Sequence, residues 1–197
     1  MMLALTLAIT VNSIYLRGAV PNVSAVESTG GISVYWDKNC TKPVSLINWG
    51  NVSVGQVKEV TVFVRNEGNA TTVLVETVTN WNPTGASRYL SFSWYCQNEK
   101  IEVGKTINVT QRLSVSSSVQ GISQFSFAIT VEGRQYYQGD VNKDGKVDML
   151  DMSVVIDAFM TTPGRPEWNL NADLNNDGTV DVLDMDIVVR DFGKSNT

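Results

Sequence analysis

The run Asp140-Val141-Asn142-Lys143-Asp144-Gly145-Lys146-Val147-Asp148-Met149-Leu150-Asp151 decides how the last third of the chain folds. It returns as Asp173-Leu174-Asn175-Asn176-Asp177-Gly178-Thr179-Val180-Asp181-Val182-Leu183-Asp184, starting 33 residues later, so the segment is an internal repeat. Positions 1, 3 and 5 of each loop carry side-chain oxygens, from Asp140, Asn142 and Asp144 or from Asp173, Asn175 and Asp177. Oxygens at alternate positions converge when the chain curls around an ion, and position 6 must then turn sharply. It is Gly145 in one copy and Gly178 in the other. Position 7, Lys146 or Thr179, offers a backbone carbonyl. Position 9, Asp148 or Asp181, binds directly or through water, and position 12, Asp151 or Asp184, closes the sphere from the first helical turn. A hard cation taking six to eight oxygens at ~2.3–2.6 Å is what such a set serves, which points to two Ca2+, one per loop. The apolar position 8, Val147 or Val180, is expected to seal each loop against its twin. Four carboxylates in each loop repel one another without an ion, so calcium binding is expected to stabilise the fold directly.

The flanks say what kind of calcium module this is. Neither Arg134–Gly139 nor Pro166–Asn171 reads as a helix, whereas an exiting helix follows each loop. Leu150, Val154 and Phe159, with Val155 nearby, suit an apolar face, as do Leu183, Ile187 and Val188 with Phe192, and Gly193 is a stop signal. Loop plus exiting helix, twice, resembles a type I-like dockerin with duplicated F-hand calcium loops rather than an EF-hand with a helix on both sides. The resemblance covers about 55 residues from Asp140 to Gly193. It implies non-covalent binding to a cohesin domain through the helix faces of the two repeats. Cellulosomal type I dockerins often carry Ser-Thr at loop positions 10 and 11. Here those positions hold Met149-Leu150 and Val182-Leu183, so the partner-binding surface implied is more apolar. That departure is compatible with a divergent cohesin-like domain, another surface protein, an intramolecular partner or a purely structural calcium module.

Charge follows the same division. Residues 139–197 hold twelve acidic and five basic groups, and the net charge of the whole chain is −5, so everything upstream is mildly basic. Acidic excess in the tail argues against a nucleic-acid partner, whose phosphates need cations. The chain has no histidine, which removes the commonest general base and transition-metal ligand. Carboxylates upstream of the repeat are scattered, and no nucleophile motif or phosphate-binding glycine loop is present, so no enzyme is expected.

Residues 32–131 read as strands and turns. Val60, Val62 and Val64 alternate with Thr61, Phe63 and Arg65; Leu90, Phe92, Trp94 and Cys96 share one face; so do Ile107, Val109, Leu113 and Val115, and Phe125, Phe127, Ile129 and Val131. Period-two alternation over about seven short segments predicts a mostly β, immunoglobulin-like sandwich at residues 26–133, followed by the small α-helical dockerin-like module at 134–197. The stretch Val52-Ser53-Val54-Gly55-Gln56 before Val60–Gly68 resembles the Ig-like modules of prokaryotic, particularly archaeal, surface proteins.

Export is the expected fate. Met1–Val11 is almost wholly apolar but too short for a transmembrane helix, and Val23-Ser24-Ala25 has the small residues of a cleavage site, so residues 1–25 are read as a signal peptide or an N-terminal membrane anchor. Five Asn-x-Ser/Thr sequons stand at Asn22, Asn39, Asn51, Asn69 and Asn108. Two cysteines, Cys40 and Cys96, are read as one disulfide, the alternative being two buried thiols. The functional expectation is a non-catalytic, calcium-binding protein that attaches or assembles at the cell surface. Two rivals stand beside it. One is a self-associating subunit of an extracellular filament or surface polymer with calcium-stabilised modules, residues 1–31 anchoring it or bridging neighbours. The other is a polysaccharide-binding sandwich carried by the dockerin, with Trp81 in the loop Asn80–Pro83 as the sugar-stacking residue; core packing is the competing reading of Trp81.

Overall fold

The computed structural model describes residues 21–196. It divides into two compact units, the first ending at Gly133 and the second made of the residues from Arg134 onward together with Thr71–Val73.

The first unit is a β-sandwich. Its strands are β1 (Pro21–Thr29), β2 (Ile32–Tyr35), β3 (Leu46–Asn51), β4 (Val57–Asn66), β5 (Thr72–Asn82), β6 (Leu90–Trp94), β7 (Lys100–Ile101), β8 (Thr106–Val115) and β9 (Phe125–Gln135). They form a five-stranded sheet in the order β3-β1-β9-β5-β7 and a four-stranded sheet in the order β2-β4-β8-β6. Alternation sets the faces. In the antiparallel β4–β8 pair, Val62 stands opposite Val109 and both are fully buried, while Phe63 stands opposite Asn108 on the other face. The inner faces meet over Val34, Ile47, Val64, Leu74, Leu113, Ile129 and Val131. At one end of this core an aromatic group gathers on Phe127, with Trp81 stacked at 4.4 Å, Phe92 at 5.5 Å and Trp49 at 6.4 Å. Trp81 is therefore a packing residue, as the core-packing reading of it has it, and the rival sugar-stacking role is not what the structure shows for this ring.

The remaining expectations fare unevenly. All seven predicted strands form. Two more appear among the described residues, the short β7 and β1. The latter lies inside the segment assigned to a leader: Val23, Ser24 and Ala25 pair with β3 on one side and, in parallel, with β9 on the other. Ser24 is fully buried and accepts a hydrogen bond from Trp49 Nε1 at 3.2 Å. Residues 21–25 thus belong to the sandwich, which was expected from residue 26, and the rest of the predicted leader lies outside the described residues. The disulfide is also corrected, because both thiols are free. Cys40 sits in the turn after β2 with its sulfur 3.5 Å from Thr106 Oγ1 on the outer face of the four-stranded sheet, whereas Cys96 packs against the core, where burial pushes its thiol pKa up.

The second unit is small and helical. Helix α1 (Met149–Asp157) and helix α2 (Val182–Asp191) each leave one of the repeated loops. Val141, Val147, Val155, Ala158, Ala172, Val180 and Val188 make its core, with Trp168 packed against it. Leu150 and Leu183 are 60% and 56% exposed, so they do not belong to the inner helix faces; Val155 and Val188 take that place. No helix among the described residues is long and apolar enough to cross a membrane.

Candidate calcium-binding site and helix face

The two loops carry the same hydrogen-bond pattern, residue for residue. At position 1, Asp140 accepts from the backbone N–H of Asp144 and Gly145 at 3.1 and 3.0 Å, and Asp173 accepts from Asp177 and Gly178 at the same distances. At position 3, the Asn142 and Asn175 amide oxygens accept from the position 5 N–H at 2.9 Å. At position 5, Asp144 accepts from Lys146 N and Asp177 from Thr179 N, both at 2.9 Å. This winding needs left-handed backbone at position 4, where Lys143 and Asn176 have φ of +62° and +59°, and at position 6, where Gly145 and Gly178 have φ of +90° and +87°.

Positions 9 and 12 join each loop to its helix. Asp148 and Asp181 are the N-cap residues, accepting from Leu150 N and Leu183 N at 2.8 and 2.7 Å, and Asp151 and Asp184 complete a reciprocal capping box. Asp151 is fully buried and accepts three backbone N–H groups: Val141 at 2.7 Å, Asn142 at 3.0 Å and Asp148 at 2.9 Å. Asp184 does the same with Leu174 at 2.7 Å, Asn175 at 3.1 Å and Asp181 at 2.8 Å. The position 12 carboxylate is thus a latch from helix to loop as well as a candidate ligand.

The donor chemistry fits calcium. Every side chain at positions 1, 3, 5, 9 and 12 offers oxygen, and each carboxylate oxygen has two acceptor sites. The amide bonds occupy part of that capacity at positions 1, 3 and 5 and leave the rest for a hard cation. Among the described residues no three His, Cys, Asp or Glu side chains are gathered as a metal cluster by themselves. The cage that the loops can offer needs the Asn142 or Asn175 amide oxygen and the carbonyl of Lys146 or Thr179 beside the carboxylates. Burial pushes the Asp140 carboxyl up from its ordinary value, and neighbouring Asp151 and Asp144 add to this against the pull of the Gly145 amide.

Val147 and Val180 both enter the core, but each backbone is held by the segment that follows the other repeat's helix. Val147 N donates to Lys194 O at 2.9 Å and Gly193 N to Val147 O at 2.8 Å. Val180 N donates to Thr161 O at 3.0 Å and Met160 N to Val180 O at 2.8 Å. Asn196 continues the first clasp, with its N–H on Gly145 O at 3.0 Å and its side chain on Gln135 O at 3.0 Å. No periodic signal announces these pairings; only Gly193, with φ of +81°, marks where the tail turns back.

From loop positions 10 and 11 onward, each helix exposes matched apolar residues. Met149 and Leu150 are 63% and 60% exposed, and Val182 and Leu183 are 63% and 56% exposed. Ile156 and Val189, at the same offset in their repeats, are exposed as well and were missed in the sequence.

Residues 138–192 match the family model of the dockerin type I domain. The C-terminal unit is a dockerin. Dockerins of this type are calcium-binding, non-catalytic protein–protein interaction modules. Two crystal structures from Acetivibrio cellulolyticus are similar over 90% of this chain and 97% of theirs. They are an N-terminal and a C-terminal interface mutant of a type II cohesin–X–dockerin complex, at 17% and 14% identity and a TM-score of 0.29 each. No curated protein matches the chain.

Proposed function

We propose that the protein is an extracellular, non-catalytic attachment protein whose dockerin, loaded with two calcium ions, docks a cohesin-like domain and so fixes the β-sandwich to a surface assembly. The observation that carries this reading is the repeated exposed pair, Met149-Leu150 and Val182-Leu183. Each pair sits between position 9 and position 12 of a loop, on the first turn of a helix whose start is held by ligand-position carboxylates. Exposed apolar side chains are unremarkable singly, but two matched sets on a small module mark an interaction surface. Buried apolar area supplies the affinity, and calcium supplies the fixed geometry.

The test is capture of a cohesin-like domain by the full chain, with calcium or with chelator. Met149→Asp/Leu150→Asp together with Val182→Asp/Leu183→Asp should lower affinity at least about tenfold, equivalent to ~1.4 kcal/mol. The melting midpoint in calcium should hardly move, because these side chains are exposed. Capture that ignores both chelator and the four substitutions would refute the docking role.

A further inference from the structure

The outer face of the four-stranded sheet carries a groove of about 590 Å³ lined by Lys38, Thr61, Phe63, Thr106 and Asn108. That volume falls in the range of ligand pockets, roughly 300–1,000 Å³. Its lining is not that of a protein interface: one aromatic ring is surrounded by a cation, two hydroxyls and a carboxamide. Phe63 is half-buried on the outer face, with Tyr35 directly opposed across the β2–β4 ladder and Asn108 directly opposed across the β4–β8 ladder. Asn108 opens the sequon Asn108-Val109-Thr110, and strand alternation puts Thr110 on the same outward face, opposite Thr61.

The geometry points to a carbohydrate as the occupant of this groove, tethered at Asn108, with Phe63 as the platform for its first ring. Directly opposed residues hold their Cβ atoms about 4.5–5.5 Å apart. A sugar on Asn108 Nδ2 therefore begins within reach of the Phe63 ring, and one apolar C–H face of a pyranose matches an aromatic surface. Lys38, Thr61 and Thr106 offer hydrogen-bonding groups to its hydroxyls. In the transfer itself, a bond forms between Asn108 Nδ2 and the anomeric carbon of a lipid-phosphate-activated oligosaccharide. The glycosyl–phosphate bond breaks, the lipid phosphate leaves, and the amide proton passes to a base of the transferase. Asn39 and Asn69 are exposed as well but lie in turns rather than on a strand face. The inference rests on the extracellular placement proposed above and is independent of the dockerin's partner.

The experiment uses the full chain secreted from an N-glycosylating host. Peptide mass mapping reads occupancy at Asn108, and thermal unfolding is compared across Asn108→Gln, Phe63→Leu and the double variant. Phe63→Leu keeps apolar bulk and the fold while removing the aromatic face. With Phe63 present, Asn108→Gln should lower the sandwich midpoint by roughly 2–5 °C. In the Phe63→Leu background the same change should move it by less than about 1 °C. An empty Asn108, or equal shifts in both backgrounds, would overturn the inference. Binding of free saccharide by the unglycosylated chain, without occupancy at Asn108, would likewise reject tethering.

Discussion

Asp144→Asn and Asp151→Asn remove one charge from the same loop, yet they should differ sharply in their effect on the dockerin. Asp144 is exposed; its Oδ1 accepts one backbone N–H, from Lys146 at 2.9 Å, and an asparagine oxygen can keep that bond. Asp151 is fully buried and uses both oxygens: one accepts from Val141 and Asn142, the other from Asp148 at 2.9 Å. An asparagine there retains the first two bonds but turns an NH2 donor toward the Asp148 N–H. A hydrogen bond to a charged group contributes about 1.5–3 kcal/mol, and a buried donor left unpaired costs about 1–3 kcal/mol. The excess cost of Asp151→Asn over Asp144→Asn should therefore be about 2–4 kcal/mol. A core of this size rarely supplies more than about 3–5 kcal/mol, so most of the module's own stability would go. Hydrogen exchange read by mass spectrometry over residues 138–192, in chelator so that neither variant can use the ion, gives the comparison locally. Asp144→Asn should retain near wild-type protection, and Asp151→Asn should lose it across both repeats. Equal protection in the two variants would show that Asp151 is a ligand only, and the latch argument would fall.

Other outcomes follow from the sandwich. Burial pushes Glu76 up to about 8, and Gln111 donates to its Oε1 at 3.2 Å. Its folded value lies above its unfolded one, so the stability it contributes is fully present below about pH 4.5 and is lost as pH rises toward 8, at up to about 1.4 kcal/mol per unit. Urea midpoints across pH 5–9 should show that slope, and Glu76→Gln should flatten it; an unchanged slope in Glu76→Gln would assign it elsewhere. Gly30 has φ of +66°, and a Cβ there would fall on the Gly133 carbonyl oxygen, so Gly30→Ala should destabilise the sandwich by more than about 1–2 kcal/mol in chemical denaturation. A neutral Gly30→Ala would mean that the β1–β2 turn yields more readily than its contacts imply.

What was legible in the sequence was legible because it is local. The β4 pattern of valines against Thr61, Phe63 and Arg65 states its own faces, and the ladder to β8 needed only a second strand with the same alternation. β1 was hidden for a specific reason: Pro21–Thr29 follows a strongly apolar run, and Val23-Ser24-Ala25 satisfies both a cleavage site and a small-residue strand closed by the Trp49 to Ser24 bond. An even cysteine count also misled, because parity says nothing of faces, and Cys40 and Cys96 stand toward opposite faces of one sheet. Asn66 shows what spacing alone never reveals. It is fully buried at the end of β4, and its side chain closes three backbone bonds, to Ala70 O, Ile101 O and Gly68 N. An Asn in a turn-like Asn66-Glu67-Gly68-Asn69 announces a turn, but not that it staples a segment more than thirty residues away.

The loop spacing was legible in one dimension, and the structure adds how the proposed partner face is tied to the proposed ligand positions. Met149 and Leu150 lie between Asp148 and Asp151, and so do Val182 and Leu183 between Asp181 and Asp184. The N–H of Leu150 is itself bonded to Asp148, and the N–H of Asp148 to Asp151; the second repeat copies both bonds. The exposed pair therefore has no backbone freedom that the ligand-position carboxylates do not control. Ile156 and Val189 stand on the same exposed faces but further along the helices, out of reach of any loop side chain. An ion at those carboxylates would thus act on the face unevenly: the first-turn pairs are tied directly to positions 9 and 12, while the distal residues are held by the packing of Val155 and Val188 in the core. On the proposed reading, calcium control of docking would need no separate switch, because four of the aspartates proposed as ligands are also the capping residues that position the exposed pairs.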